Sequence, residues 1–200
     1  MKSKKLLHVI ANMNPQLGGV CEALRTIIPT LSQKGIYNEV VSLDSENAKY
    51  IAHDQFVVHS LGPGKGPWQY SSKLVPWLVE NLPHFDFVVV HGLWLYHGFA
   101  VRKALRKIQQ AQPAGERKGV PKLIVFPHGM LDPYFQMAPG RKIKAIRNFL
   151  YWKLVEEKVV NEADVIFFTA EDERQLAQKT FHPYKPKSES VVGLGITSPP

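Results

Sequence analysis

The feature that most constrains the fold is a regular alternation between strand-length apolar runs and longer segments with helical spacing. The run Phe85–His91 is dominated by apolar residues, as expected of a central parallel strand that is covered on both faces. A segment long enough for a helix, residues 94–110, follows it. Strands separated by helices predict βαβ units, and hence an α/β fold with a doubly wound, Rossmann-like parallel sheet.

The same periodicity divides the rest of the chain. The predicted strands lie at residues 6–12, 39–43, 55–61, 85–91, 122–126 and 164–169. The predicted helices lie at residues 20–31, 74–82, 94–110, 141–161 and 171–179. With 200 residues and 44% hydrophobic content the chain can bury one large core, and we assign residues 1–190 to a single domain.

Cysteine content and the N-terminus bear on the cellular compartment. The lone cysteine, Cys21, excludes an intramolecular disulfide and is consistent with a reducing cytoplasm. The apolar run Leu6–Ala11 is interrupted by His8 and is far shorter than the ~20 residues of a membrane span. We therefore expect a cytoplasmic protein that does not cross a bilayer.

The net charge of +8 is concentrated in one part of the chain. Residues 101–160 contain thirteen Lys and Arg against four acidic residues. This local excess predicts an anionic partner on one face. Ordinary solvated helix faces explain it equally well.

The loops after the strands are the places to search for a site, because ligands collect at the carboxyl ends of parallel strands. Four of these loops, residues 12–19, 91–94, 127–134 and 169–172, are chemically unusual for connectors. Gly18 and Gly19 precede the first helix, where free amides favour an anion, although a tight turn explains two glycines about as well. His128 follows a strand directly and can hydrogen-bond sugar hydroxyls, with a buried structural histidine as the alternative. His91 has the same type of position.

Several other functional classes lack their motifs. The chain has no Gly-x-Gly-x-x-Gly after its first strand, no Gly-Lys-Ser/Thr and no Gly-x-Ser-x-Gly. The pairs His91/His97 and His53/His59 do not have a common zinc spacing, so we expect no metal site. No nucleic-acid-binding module is recognisable, and we expect no nucleic-acid partner.

Three motifs together carry a family resemblance. They are Asn14-Pro15-x-x-Gly18-Gly19-Val20, His91-Gly92-Leu93-Trp94 and Pro127-His128-Gly129-Met130-Leu131-Asp132-Pro133. With the later stretch Ala163–Glu173, they resemble bacterial glycosyltransferases of family 4, also called glycosyl transferase group 1. The resemblance covers essentially the whole chain and implies the N-terminal half of a GT-B architecture, in which two Rossmann-like domains face each other across a cleft.

The resemblance also implies an activity. The N-terminal half of such enzymes mostly binds the acceptor, and residues 191–200 resemble the start of the hinge to a donor-binding domain. The implied reaction is retaining transfer of a hexose from a nucleotide sugar to a glycan or lipid-linked acceptor, without a cofactor or metal. The family's glutamate pair that contacts the donor has no counterpart here, so we expect the chain to be inactive alone.

The resemblance assigns roles to individual residues. His128 is the implied catalytic residue and orients the donor sugar. Gly18 and Gly19 leave room for donor phosphates and acceptor, and their amides stabilise charge on the departing phosphate. Asp132 supports its loop or contacts acceptor hydroxyls. His91 and Thr169 complete the predicted substrate-binding set.

The helix after the His128 loop predicts a further partner. Ile143, Ile146, Leu150, Leu154 and Val155 form one apolar stripe, and Arg141, Lys144, Arg147 and Tyr151 recur on another face. This composition fits peripheral contact with an anionic membrane, at the cytoplasmic face of the inner membrane. Packing of the stripe on the sheet is the alternative.

For the chain as a whole, two alternative functions stay open: a non-catalytic sugar-binding or regulatory module, and a nucleotide-sugar epimerase.

Overall fold

The computed structural model describes residues 3–113, 116 and 118–193 and contains one sheet of parallel strands. The strands are β1 (Lys5–Ile10), β2 (Tyr37–Ser42), β3 (Val57–Ser60), β4 (Phe87–His91), β5 (Lys122–Phe126), β6 (Val165–Phe168) and β7 (Glu189–Val191). Their order is β3-β2-β1-β4-β5-β6-β7, and every ladder is parallel. The predicted Rossmann-like sheet is confirmed, and the order reverses between β1 and β4, which is the switch point where such folds bind ligands.

Helices occupy the predicted connections. They are α1 (Val20–Gln33), α2 (Leu74–Asn81), α3 (Tyr96–Gln110), α4 (Tyr134–Met137), α5 (Lys142–Tyr151), α6 (Glu157–Glu162) and α7 (Glu171–Ala177). The single helix predicted over residues 141–161 is interrupted by a π-helical turn, Trp152–Glu156, between α5 and α6. Both ends of that turn, Trp152 and Glu156, are buried.

The two faces of the sheet are covered differently. On one face α1 contributes Cys21, Leu24 and Ile28 to a cluster with Ile10 of β1 and Val40 of β2. On the other face a larger cluster joins alternate strand residues to α2, α3, α6 and α7. His8 lies on the first face, because side chains alternate along a strand and Leu7 and Val9 belong to the second cluster.

The end of the described chain extends the sheet. Strand β7 ends at Val191 and pairs with β6 in parallel. Residues 194–200, which include most of the predicted hinge, lie outside the described residues. The assignment of residues 191–200 to a hinge therefore stays a prediction.

Candidate functional site

A cavity of about 320 Å³ opens at the carboxyl edge of the sheet, at the switch point. It lies between the loop after β1 and the loop after β4. Its lining includes Asn12, Gly18, Cys21, Gln69, His91 and Met130. A depression of 650 Å³ at the amino edge, lined by Lys4, Lys5 and Asp86 among others, is larger but lies at the edge where parallel sheets rarely bind ligands.

Buried polar contacts hold the loop after β1. The backbone N–H of Met13 donates to Oδ2 of Asp44 over 2.8 Å, and the Tyr50 hydroxyl donates to Oδ1 of the same carboxylate over 2.7 Å. Gly18 has φ +150°, and Gly19, directly before α1, has φ −79°. A Cβ at either glycine would meet no atom within 4 Å, so both backbones face open space.

A buried carboxyl group holds the loop after β4. Oε1 of Glu156 accepts a hydrogen bond of 2.9 Å from the backbone N–H of Trp94, which has the uncommon φ of +69°. Burial raises the pKa of Glu156 to about 8, so its carboxyl group is largely protonated at neutral pH. Glu156 is the last residue of the π-helical turn.

The loop after β5 has a strained backbone and a second carboxylate clamp. His128 has φ +53°, and its ring stacks on Phe126 with centroids 4.0 Å apart. Glu173 accepts from the backbone N–H of Gly129 over 2.7 Å. It also accepts from the N–H and hydroxyl of Thr169 over 2.7 and 2.6 Å. Glu173 thus joins the loops after β5 and β6.

Left-handed backbone concentrates around the cavity. Within the described residues, Gln69, Trp94 and His128 are the non-glycine residues with positive φ. Gln69 lines the cavity, and Trp94 and His128 lie in the loops beside it. Such strain costs about 1–3 kcal/mol per residue and persists mainly at functional sites, which supports the choice of this edge.

Three histidines form a continuous row from the sheet to this edge, in which His8 and His91 are buried and His128 is partly buried. Nδ1 of His8 lies 3.0 Å from Nε2 of His91, and Nδ1 of His91 lies 3.0 Å from Nε2 of His128. Nε2 of His8 lies 3.1 Å from Oδ1 of Asn38. Burial lowers the pKa of His8 and of His128 to about 4, and that of His91 well below its usual value, so the row is neutral at pH 7.

The structure brings four of the six predicted residues together. Gly18 and His91 line the cavity, Gly19 directly precedes α1 beside it, and His128 stacks against His91 with ring centroids 5.3 Å apart.

The other two, Asp132 and Thr169, are engaged within the protein. Oδ1 of Asp132 accepts from the backbone N–H of Tyr134 at the start of α4, as expected of a residue that supports its loop. Thr169 is bound to Glu173. Neither residue lines the cavity between the β1 and β4 loops.

Sequence reasoning missed four residues that shape the site: His8, Asn38, Glu156 and Glu173. A histidine inside an apolar strand run was the available signal for His8, because a buried polar side chain needs a partner. Glu156 gave no signal, because a glutamate in a helical segment is usually exposed to solvent. In the described part of the chain no group of three or more His, Cys, Asp or Glu residues is arranged to hold a metal ion.

A family model described as "Glycosyl transferase 4-like domain" matches residues 18–195. A search of curated proteins found no significant match.

Solved structures show the same fold. S. aureus MnaA, solved with UDP, matches with 15% identity and a TM-score of 0.58, over 94% of this chain and 44% of that one. Anabaena HepE, also solved with UDP, matches with 14% identity and a TM-score of 0.56, over 98% and 47%. A Listeria monocytogenes protein assigned as a UDP-N-acetylglucosamine 2-epimerase has 14% identity, a TM-score of 0.52 and coverage of 90% and 43%. The chain thus spans less than half the length of these structures, and at such identities the likeness concerns the fold alone.

Proposed function

Because the chain belongs to the glycosyl transferase 4-like domain family, we propose that it is the acceptor-side domain of a retaining glycosyltransferase. The reaction is transfer of a hexose from a nucleotide sugar to a glycan or a lipid-linked acceptor. The observation that carries this proposal is the cavity at the switch point, which brings Gly18 and His91 together beside His128.

The chemistry of this edge suits a sugar substrate. Gly19 precedes α1, whose first backbone N–H groups are free to face an anion such as a diphosphate. A neutral His128 ring can hydrogen-bond hydroxyl groups without placing a charge in the cleft. These residues bind and orient substrates, and the amides of Gly18 and Gly19 stabilise charge that develops on the leaving phosphate. The proposed reaction needs no cofactor or metal.

The main donor contacts lie, on this proposal, in a second domain that faces the carboxyl edge. The chain matches less than half of structures solved with UDP. A cleft formed by two domains loses its positioning when one is removed. The 200-residue chain alone should therefore bind nucleotide sugars weakly and transfer no sugar.

A transfer assay tests this proposal. The protein encoded by the complete gene is incubated with labelled nucleotide sugars and with glycan or lipid acceptors from its source, in parallel with the 200-residue chain. We expect retaining transfer by the former and none by the latter. Binding of sugar without transfer would instead indicate a non-catalytic sugar-binding module. Conversion of the nucleotide sugar without any acceptor would indicate an epimerase.

An exposed apolar surface supports a peripheral membrane position. Ile143 is 85% exposed and Leu154 is 74% exposed, and Ile146 and Leu150 are also exposed. Of the predicted stripe, Val155 alone packs against the core. The other four side chains of the stripe therefore do not pack on the sheet, which was the alternative to membrane contact.

The neighbouring residues extend this surface. Tyr134 and Met137 of α4 are exposed apolar groups, and Lys142, Lys144 and Lys153 are exposed cations on the same segment. Apolar side chains bordered by lysines match the chemistry of anionic headgroups and acyl chains. We infer attachment to the cytoplasmic face of the inner membrane, where a lipid-linked acceptor would lie. No helix within the described ranges has the length and apolarity to cross a bilayer.

A further inference from the structure

The row Asn38–His8–His91–His128 is continuous, and its hydrogen-bond direction can be worked out from one end. Asn38 defines that end because its amide nitrogen donates to the carbonyl oxygen of Ile36 over 2.8 Å. Rotating the amide by half a turn would place Oδ1 against that carbonyl, so Oδ1 must face His8. Oδ1 can only accept, which requires Nε2 of His8 to carry a proton.

Each further step follows from the neutrality of the rings. A neutral imidazole has one N–H, so protonated Nε2 leaves Nδ1 of His8 as an acceptor, and Nε2 of His91 must donate to it. By the same reasoning Nδ1 of His91 accepts from Nε2 of His128. Burial keeps the pKa of His8 at about 4, which removes the doubly protonated alternative at neutral pH.

The last nitrogen of the row is then determined. Nδ1 of His128 carries no proton, has no hydrogen-bond partner in the described part of the chain, and belongs to a side chain that is only partly buried. His97 leaves the row undisturbed, because its Nε2 donates to the backbone oxygen of His91 and not to the ring.

We propose that Asn38 and His8 are positioning residues that fix His128 in one tautomer, with Nδ1 as a permanent acceptor for a substrate hydroxyl. The substrate part of this statement rests on the proposed function, whereas the tautomer does not. A sugar hydroxyl would donate to Nδ1, so the site would select a hydroxyl donor at that point. The selection is set by an amide on β2, three side chains away from the substrate.

Nitrogen-15 NMR of the imidazole rings at pH 7, without any sugar, tests the tautomer directly. We expect protonated Nε2 and unprotonated Nδ1 in His8, His91 and His128. Coupling across the hydrogen bonds should join Nε2–H of His91 to Nδ1 of His8, and Nε2–H of His128 to Nδ1 of His91. A proton on Nδ1 of any of the three in the wild-type chain would overturn the proposal, whether or not the protein transfers sugar.

A substitution at Asn38 tests its control over the row. Asn38→Leu removes the acceptor, so the His128 Nδ1 resonance should shift from the unprotonated toward the N–H position. Ser42→Ala, a buried change further along β2, is the control and should leave the rings unchanged. An unshifted His128 spectrum in folded Asn38→Leu would contradict control by Asn38, and the wild-type measurement still decides the tautomer if that variant does not fold.

Discussion

At the scale of single residues, the protein buries ionisable groups in their neutral forms. Burial lowers the pKa of His8 and His97 to about 4 and raises that of Glu156 to about 8. Burial favours the uncharged state of all three groups, so the histidines and the glutamic acid make stability depend on pH in opposite directions. Acid is unfavourable for the histidines and alkali is unfavourable for the glutamic acid.

The histidines predict loss of stability in acid. In the unfolded chain a histidine becomes protonated below pH ~6.5, whereas in the folded chain His8 and His97 become protonated only near pH 4. Their contribution to stability is therefore complete above pH ~6.5 and is lost as the pH falls toward 4. We expect each of these two histidines to lower the free energy of unfolding by about 2 kcal/mol when the pH falls from 7 to 5, as measured by urea denaturation. His97→Gln should recover that amount. His84→Gln, at an exposed position, should recover nothing. A free energy that is equal at both pH values would contradict the burial of neutral rings.

Glycines at the cavity should separate folding from function. Gly19 has φ −79° and space around its Cα, so Gly19→Ala should change stability by less than about 1 kcal/mol. The added methyl group would still obstruct the closest approach of a phosphate, so transfer should fall. Gly35 has φ +78°, and Gly35→Ala should lower stability by about 1–2 kcal/mol while transfer persists. Unaltered transfer by Gly19→Ala would remove this glycine from the site.

At the scale of elements, the sequence predicted most strands and helices because the apolar periodicity is strong. Strand β5 was predicted with its exact ends, whereas the short helix α4 was not predicted. The helix predicted over residues 141–161 differs by one residue at each end from the combined span of α5, the π-helical turn and α6. The π-helical turn Trp152–Glu156 could not be predicted, because it contains no proline or glycine that would mark a break in the helix. The loops that form the site were found in the sequence because they follow the ends of predicted strands. The row of histidines depends on the register of β1 with β2 and β4, which the sequence alone does not give.

The link between the π-helical turn and the β4 loop predicts a measurable pH effect. Protonated Glu156 stabilises the fold below its unfolded pKa of about 4.5, and this contribution is lost as pH rises through about 8. Glu156→Gln keeps an acceptor for the Trp94 N–H and cannot ionise. Its free energy of unfolding relative to wild type should therefore rise by about 2 kcal/mol between pH 6.5 and 8.5 in urea denaturation.

Glu157→Gln provides the matched control for this effect. It changes the adjacent carboxyl group, which is only partly buried and lies 4.0 Å from the amino group of Lys153. We expect no comparable rise for it over the same pH range. Equal behaviour of the two variants would mean that Glu156 is not held as a neutral acid.

At the scale of the whole molecule, the proposed function uses two surfaces: the carboxyl edge of the sheet for substrates, and the exposed side of α4, α5 and the π-helical turn for lipid. His128 at the carboxyl edge and the exposed side of α4 and α5 lie in the same segment of the chain, between β5 and β6. A lipid-linked acceptor could therefore reach the cleft from the membrane surface. The two surfaces can be tested separately, because they use different residues.

Vesicle co-sedimentation tests the lipid surface. The double variant Lys142→Gln/Lys144→Gln should bind anionic vesicles roughly 30-fold less tightly at low salt, since each cation near the surface contributes about 1 kcal/mol. The pair Ile143→Gln/Leu154→Gln should weaken binding by at least about tenfold through lost apolar burial. Val57→Gln changes an exposed apolar residue on β3 and should have no effect. Equal sedimentation with neutral and anionic vesicles, or none with either, would leave this surface without a lipid partner.

On the proposed function, sugar is transferred at the carboxyl edge around His128. The decisive measurement is the transfer rate of the complete protein with His128→Ala, compared with His84→Ala at an exposed position before β4. We expect a loss of roughly 100-fold for His128→Ala, the size expected when one oriented hydrogen-bonding group is removed from a transfer site. His84→Ala should match the wild type. Transfer by His128→Ala at the wild-type rate would show that sugar is not transferred at this edge.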